Sequence, residues 1–171
     1  MIDFKKEDVR IIKTRRALFK AMQELLKYQT YAYLKVYDIC HEAYVSRSAF
    51  YSHFKDKYDI LEQWLTELLC LIKDDISNVS YEQREVCIIG YLQNYCKIIE
   101  NLINQAPPEQ IRTIINVLNG VFLDKSYTEI KASFISAGII GSFYQVKRRS
   151  VEAYVKVISE CLFYLSGEAQ N

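Results

Sequence analysis

Proline and glycine are scarce, two and five among 171 residues. A turn-rich β protein needs such residues at its chain reversals, so that class is excluded. Long apolar runs are absent too: the longest covers residues 86–92, far short of the ~20 that span a bilayer. The opening eight residues are charged and hold no stretch resembling a signal peptide. A cytoplasmic protein with no membrane partner is the expectation. Histidine is limited to His41 and His53, no C-x-x-C pair exists, and glycine-rich phosphate loops are missing. A zinc site, a disulfide framework and a nucleophile–base pair all lack their residues. Neither enzyme activity, a metal nor a cofactor is expected. The five cysteines (Cys40, Cys70, Cys87, Cys96 and Cys161) read as small buried hydrophobes in a reducing compartment.

What is present is a globular composition, half apolar and one quarter charged, which excludes a disordered chain. The net charge of +1 conceals an asymmetry. Residues 1–57 carry twelve Lys/Arg against seven Asp/Glu, a net of +5, and residues 58–171 carry ten against fourteen, a net of −4. A basic head on an acidic body suggests that the head alone meets a polyanion.

Apolar residues recur at helical spacing almost throughout, and the sequence predicts an all-α protein of about eight helices. The first covers residues 6–27, with Val9, Ile12, Phe19, Met22 and Leu26 on one face. Residues 28–34 break the period and read as a loop. Two short helices follow at 36–43 and 47–53. A longer one starts at Asp56, a capping residue with Asp59 three positions on, and carries Ile60, Leu61, Trp64, Leu65, Leu68, Leu69 and Ile72. Further helices are predicted at 81–105, at 109–119 between Pro107-Pro108 and Gly120, at 124–146 and at 150–165.

The informative stretch is 36–54. A helix, a three-residue turn and a second helix capped by Ser46 place Val36, Ile39, Cys40, Ala43, Val45, Phe50 and Phe54 where they can lock the two helices together. Arg47, Ser48, Tyr51 and His53 remain as hydrogen-bonding groups on the other face. A helix-turn-helix works in this way: the first helix braces, and the second presents its N-terminal residues to base edges in the major groove. His41, without a partner at ligand spacing, reads as a surface residue of the bracing helix. The cluster Lys147-Arg148-Arg149 reads as an exposed helix junction.

Val36, Asp38, Ile39, Ala43, Val45, Ser46, Phe50, Tyr51, His53, Phe54, Lys57 and Leu61 stand in register with the pattern T-V-x-D-I-A-x-x-A-G-V-S-x-x-x-F-Y-x-H-F-x-x-K-x-x-L. In these residues the chain resembles the TetR/AcrR family of bacterial transcription regulators. The motif covers about residues 35–61 and the helical layout extends the likeness to roughly 9–72. Two positions depart. Lys35 replaces the usual threonine cap, which removes the capping box with Asp38. Tyr44 replaces the usual glycine, at a strain of about 1 kcal/mol or more if that position needs a positive φ.

The resemblance implies a DNA-binding set of Lys35, Ser46, Arg47, Ser48, Tyr51, His53 and Lys57. Arg47 and Ser48 would face base edges; Tyr51, His53, Lys57 and Lys35 would touch phosphates or sugars. Lys5 and Lys6 could lie along the backbone or in solvent. It implies a helix-turn-helix domain over 1–55, a connecting helix over 56–72, and a helical effector-binding and dimerisation domain over 73–171. Tyr91, Tyr95, Phe122, Tyr127 and Phe134 are candidate lining groups of a small-molecule pocket. Phe134, Gly138, Gly141, Tyr154, Val155, Ile158 and Leu162 are the candidate dimer face, where small residues allow helices to approach closely. The function so implied is a homodimeric repressor that binds a palindromic double-stranded operator and is released by a small effector. The alternative is the same scaffold governed through its body by a partner protein.

Overall fold

Helix α1 (Val9–Leu25) buries Leu18, Phe19, Ala21 and Met22, and Leu26 follows them into the core. Phe19, Met22 and Leu26 of the predicted stripe are buried and Ile12 half-buried, and only its first residue, Val9, lies out at 62% exposure. The computed structural model describes residues 9–123, with Ser133, Ser136, Ala137, Gly138 and Gly141 beyond them. The predicted helix at 150–165 and most of that at 124–146 lie outside the described residues.

Helices α2 (Val36–Glu42) and α3 (Arg47–His53) are two turns each, too short to persist alone in water. They stand because Ile39, Cys40, Phe50 and Phe54 pack into α1. The Phe54 ring lies 5.7 Å from Phe19 and 5.5 Å from Phe50, centroid to centroid. Truncation of such a ring to alanine costs about 3–5 kcal/mol.

Helix α4 (Lys57–Ser77) begins where Asp56 accepts from the backbone N–H groups of Tyr58 (2.7 Å) and Asp59 (2.9 Å). Asp59 in turn accepts from the N–H of Lys55 at 2.8 Å. Ile60, Leu61, Trp64 and Leu65 are buried, as the spacing predicts. Helix α5 (Tyr81–Ile103) and helix α6 (Pro108–Leu123) complete the described elements, and α6 packs along α4. Pro108 opens α6 in the expected way, since it has no N–H to leave unpaired. Gly120 does not close the helix; α6 runs through it to Leu123, because glycine stops a helix only where the chain turns left-handed.

The apolar core is continuous. It runs from Leu18 and Phe50 through Trp64 to Ile98, Leu102, Ile114 and Leu118. No helix among the described residues is long and apolar enough to cross a membrane. Of the cysteines, Cys40 is buried as expected, whereas Cys70 is exposed and Cys87 half-buried.

Candidate nucleic-acid interface

The turn between α2 and α3 is a Schellman motif. The N–H of Tyr44 donates to His41 O (3.2 Å) and that of Val45 to Cys40 O (2.9 Å), which satisfies two orphan carbonyls of α2. The motif places Tyr44 at the position that glycine normally fills, and Tyr44 takes it with φ of 54°. Its side chain is 97% exposed, so no packing within the chain offsets the strain.

Ser46 caps α3: its Oγ accepts from the Ala49 N–H at 3.1 Å and lies 3.0 Å from Ser48 Oγ. With Phe50 buried beneath, the opposite face of α3 points outward with Arg47, Ser48 and Tyr51 exposed. The Tyr51 ring meets Phe50 edge-on at 5.3 Å, which fixes the phenol at the rim of the core. His53 is half-buried, its ring 6.3 Å from that of Phe54. Burial pushes the Cys40 thiol up, and the nearby Arg47 guanidinium opposes the shift.

Lys35 is exposed and precedes α2. Half of the capping box survives there: Asp38 Oδ2 accepts from the Lys35 N–H at 2.9 Å. Only the reciprocal bond is missing, because an ammonium cannot accept one. Tyr37, one turn from His41 and 61% exposed, extends the polar face of α2.

Lys57 differs from expectation. Its ammonium turns inward and donates to the carbonyls of Tyr31 (3.2 Å), Ala32 (3.2 Å) and Leu34 (3.3 Å). The rings of Tyr31 and Tyr58 lie 5.1 Å and 5.5 Å from it. Desolvation lowers the lysine pKa from its ordinary value. Three loop carbonyls and two ring faces hold the cation that a phosphate was expected to hold. Asp56 and Asp59 already fill the anion-attracting end of α4. Tyr31, missed in the sequence, completes the knot: its hydroxyl donates to Lys57 O, and burial drives its pKa well above the ordinary phenol.

In the body, Tyr91 and Tyr95 stack at 6.4 Å. The Tyr91 hydroxyl donates to Asp75 across the α4–α5 seam, a bond that pushes the phenol up to about 12. Both rings are half-buried, so their placement is that of a seam between helices. Phe122 lies in α6 with its side chain outside the described residues, as are Tyr127 and Phe134 altogether. Of the candidate dimer face, Tyr154, Val155, Ile158 and Leu162 are likewise outside. Gly138 and Gly141 are exposed, and a methyl group added at either would meet no atom of the described residues beyond its own helix and chain neighbours. No group of three or more metal-ligating side chains converges among the described residues.

An outward-facing second helix on a braced first helix, joined by a short turn, is the geometry of a helix-turn-helix. Solved structures share this fold along nearly the whole chain. A TetR transcriptional regulator from Streptococcus agalactiae has a TM-score of 0.60 at 22% identity, over 93% of this chain and 95% of that one. The TetR-family repressor AlkX from Dietzia follows at 0.54 and 21%, over 91% and 97%. The dihydroxyacetone kinase operon activator DhaS gives 0.51 and 18%, over 92% and 96%. No family model matches the chain, and no curated protein matches it in sequence. The fold is that of the TetR-type transcription regulators.

Proposed function

We propose that the protein is a sequence-specific DNA-binding regulator of transcription. The observation that carries this reading is the exposed row Arg47, Ser48 and Tyr51 on α3, held rigid by Phe50 and Phe54 in the core. Arg47 suits bidentate pairing with guanine O6 and N7. Lys35 and Tyr51 suit phosphate oxygens, which position a protein on the duplex. His53, in the last turn of α3, suits a phosphate as Tyr51 does; Ser46 acts by capping α3, and Lys57 acts by fixing the loop behind it.

A single α3 covers only a few base pairs, so a homodimer reading a palindrome is the working unit. Operator occupancy represses, and a small effector bound in the helical body releases the duplex. Among proteins of this fold AlkX is named a repressor and DhaS an activator, so the sign of the output is tested separately with a reporter gene.

The test is selection of bound fragments from random duplex DNA. Enriched inverted repeats with half-sites about one helical turn apart are the expected result. An absence of enrichment at low salt, where phosphate attraction is strongest, rejects the reading.

A further inference from the structure

The loop between α1 and α2 is fastened on two sides. On one, Lys57 grips three of its carbonyls. On the other stands the end of α5. Asn101 O accepts from the Tyr31 N–H at 2.9 Å, and Asn101 Nδ2 donates to Leu26 O at 2.8 Å. Leu26 follows the last residue of α1, where carbonyls have no helical partner. One residue of α5 therefore serves the start and the middle of the α1–α2 loop, and it does so while 6% exposed, between Ile98 and Leu102 of the core. A third bond lies at the surface, from the Tyr33 hydroxyl to Gln105 Oε1 at 2.6 Å.

Gln105 is itself unusual. Asn104 (φ −65°, ψ 121°) and Gln105 (φ 56°) form a type II turn closed by the Ala106 N–H on Ile103 O at 3.2 Å. Glycine is the ordinary residue at the second central position; here a glutamine keeps the strained backbone and uses its side chain on Tyr33. Just beyond, the fully buried Gln110 donates to Leu102 O, which joins the start of α6 to the end of α5. Bonded contacts thus run from Leu26 and Tyr31 through Asn101 and Leu102 to Gln110.

We infer that the α5–α6 corner is mechanically part of the N-terminal helices, with Asn101 as the positioning residue. The corner and the α1–α2 loop open and shift together. Because the loop ends at Lys35, which caps α2, a displacement of α5 or α6 reaches the orientation of α2 and α3 through it. The mechanical statement stands without any ligand; its consequence for DNA rests on the function proposed above.

Hydrogen exchange on the full chain tests it, read at the Tyr31 and Leu34 amides in the loop and the Asn104 and Ala106 amides in the corner. Asn101→Ala removes the bond to Leu26 and is expected to speed exchange in both segments by a common factor of about ten. Tyr33→Phe removes only the surface bond and is expected to give a common factor of about two to three. The Phe50 and Phe54 amides of α3 stay unchanged in either variant. Acceleration of the loop alone, or of the corner alone, overturns the inference, because it places a hinge between them. Tyr33→Phe decides the matter by itself if Asn101→Ala does not fold. The same variant is then titrated with duplex selected by the wild-type protein. Weaker binding with an unchanged salt slope supports transmission to α3; unchanged affinity alongside shared acceleration overturns transmission. Exchange is read without DNA, so failure of the nucleic-acid reading is seen separately.

Discussion

Tyr44 sits at φ 54° with its side chain in solvent. An L-residue there costs about 1–2 kcal/mol relative to the right-handed region, and glycine does not. Tyr44→Gly is therefore expected to raise stability by about 1 kcal/mol, read as a higher urea midpoint at constant m-value. Tyr31 makes a pH-dependent prediction. Its folded pKa is raised by burial, so the stability it confers is complete below the ordinary phenol pKa of 10.0 and is lost as pH rises beyond it. Stability measured between neutral and strongly alkaline pH should fall, and the fall should be shallower in Tyr31→Phe. Arg47→Ala is expected to change base preference at one position per half-site by about 1–3 kcal/mol; a uniform loss across sequences would make Arg47 a backbone contact instead. Lys57→Met should lower stability and leave the salt slope of DNA binding unaltered, because its ammonium is spent on the carbonyls of Tyr31, Ala32 and Leu34. A slope reduced by about one unit would return Lys57 to the phosphates.

At the scale of elements, the two-turn helices α2 and α3 depend on their ends. Ser46→Ala removes the bond to Ala49 and should cost about 1 kcal/mol, visible in the thermal midpoint. These elements were legible because capping, core and exposed positions all agree over 36–54, down to Ser46 before α3 and Asp56 before α4. The inward turn of Lys57 was not legible. A lysine at the first position of a helix reads the same whether it faces solvent or a knot of carbonyls, and the loop supplying those carbonyls has no period to interpret. Tyr31 was hidden for that reason: in a run of tyrosines, nothing local marks the one that is buried. Asn101 left a faint trace, as a polar residue on the apolar stripe of Ile98 and Leu102. Such a residue in a core position needs a hydrogen-bond partner, and its partner proved to be seventy-five positions away.

For the whole molecule, the all-α architecture followed from the scarcity of proline and glycine and from helical periodicity, and the structure agrees over the described residues. The proposed assembly is a homodimer, so sedimentation should give twice the chain mass; a single-chain mass at micromolar concentration would reject it. The bond from Asn101 to Leu26 has a practical consequence for engineering. Proteins of this fold invite transplantation, in which the N-terminal helices of one are spliced onto the body of another. A graft of the first fifty-five residues alone would leave the Leu26 carbonyl at the end of α1 bare where a foreign α5 offers no asparagine. A chimera that carries over the final turn of α5, or restores that single amide in the recipient, should fold where the bare splice does not.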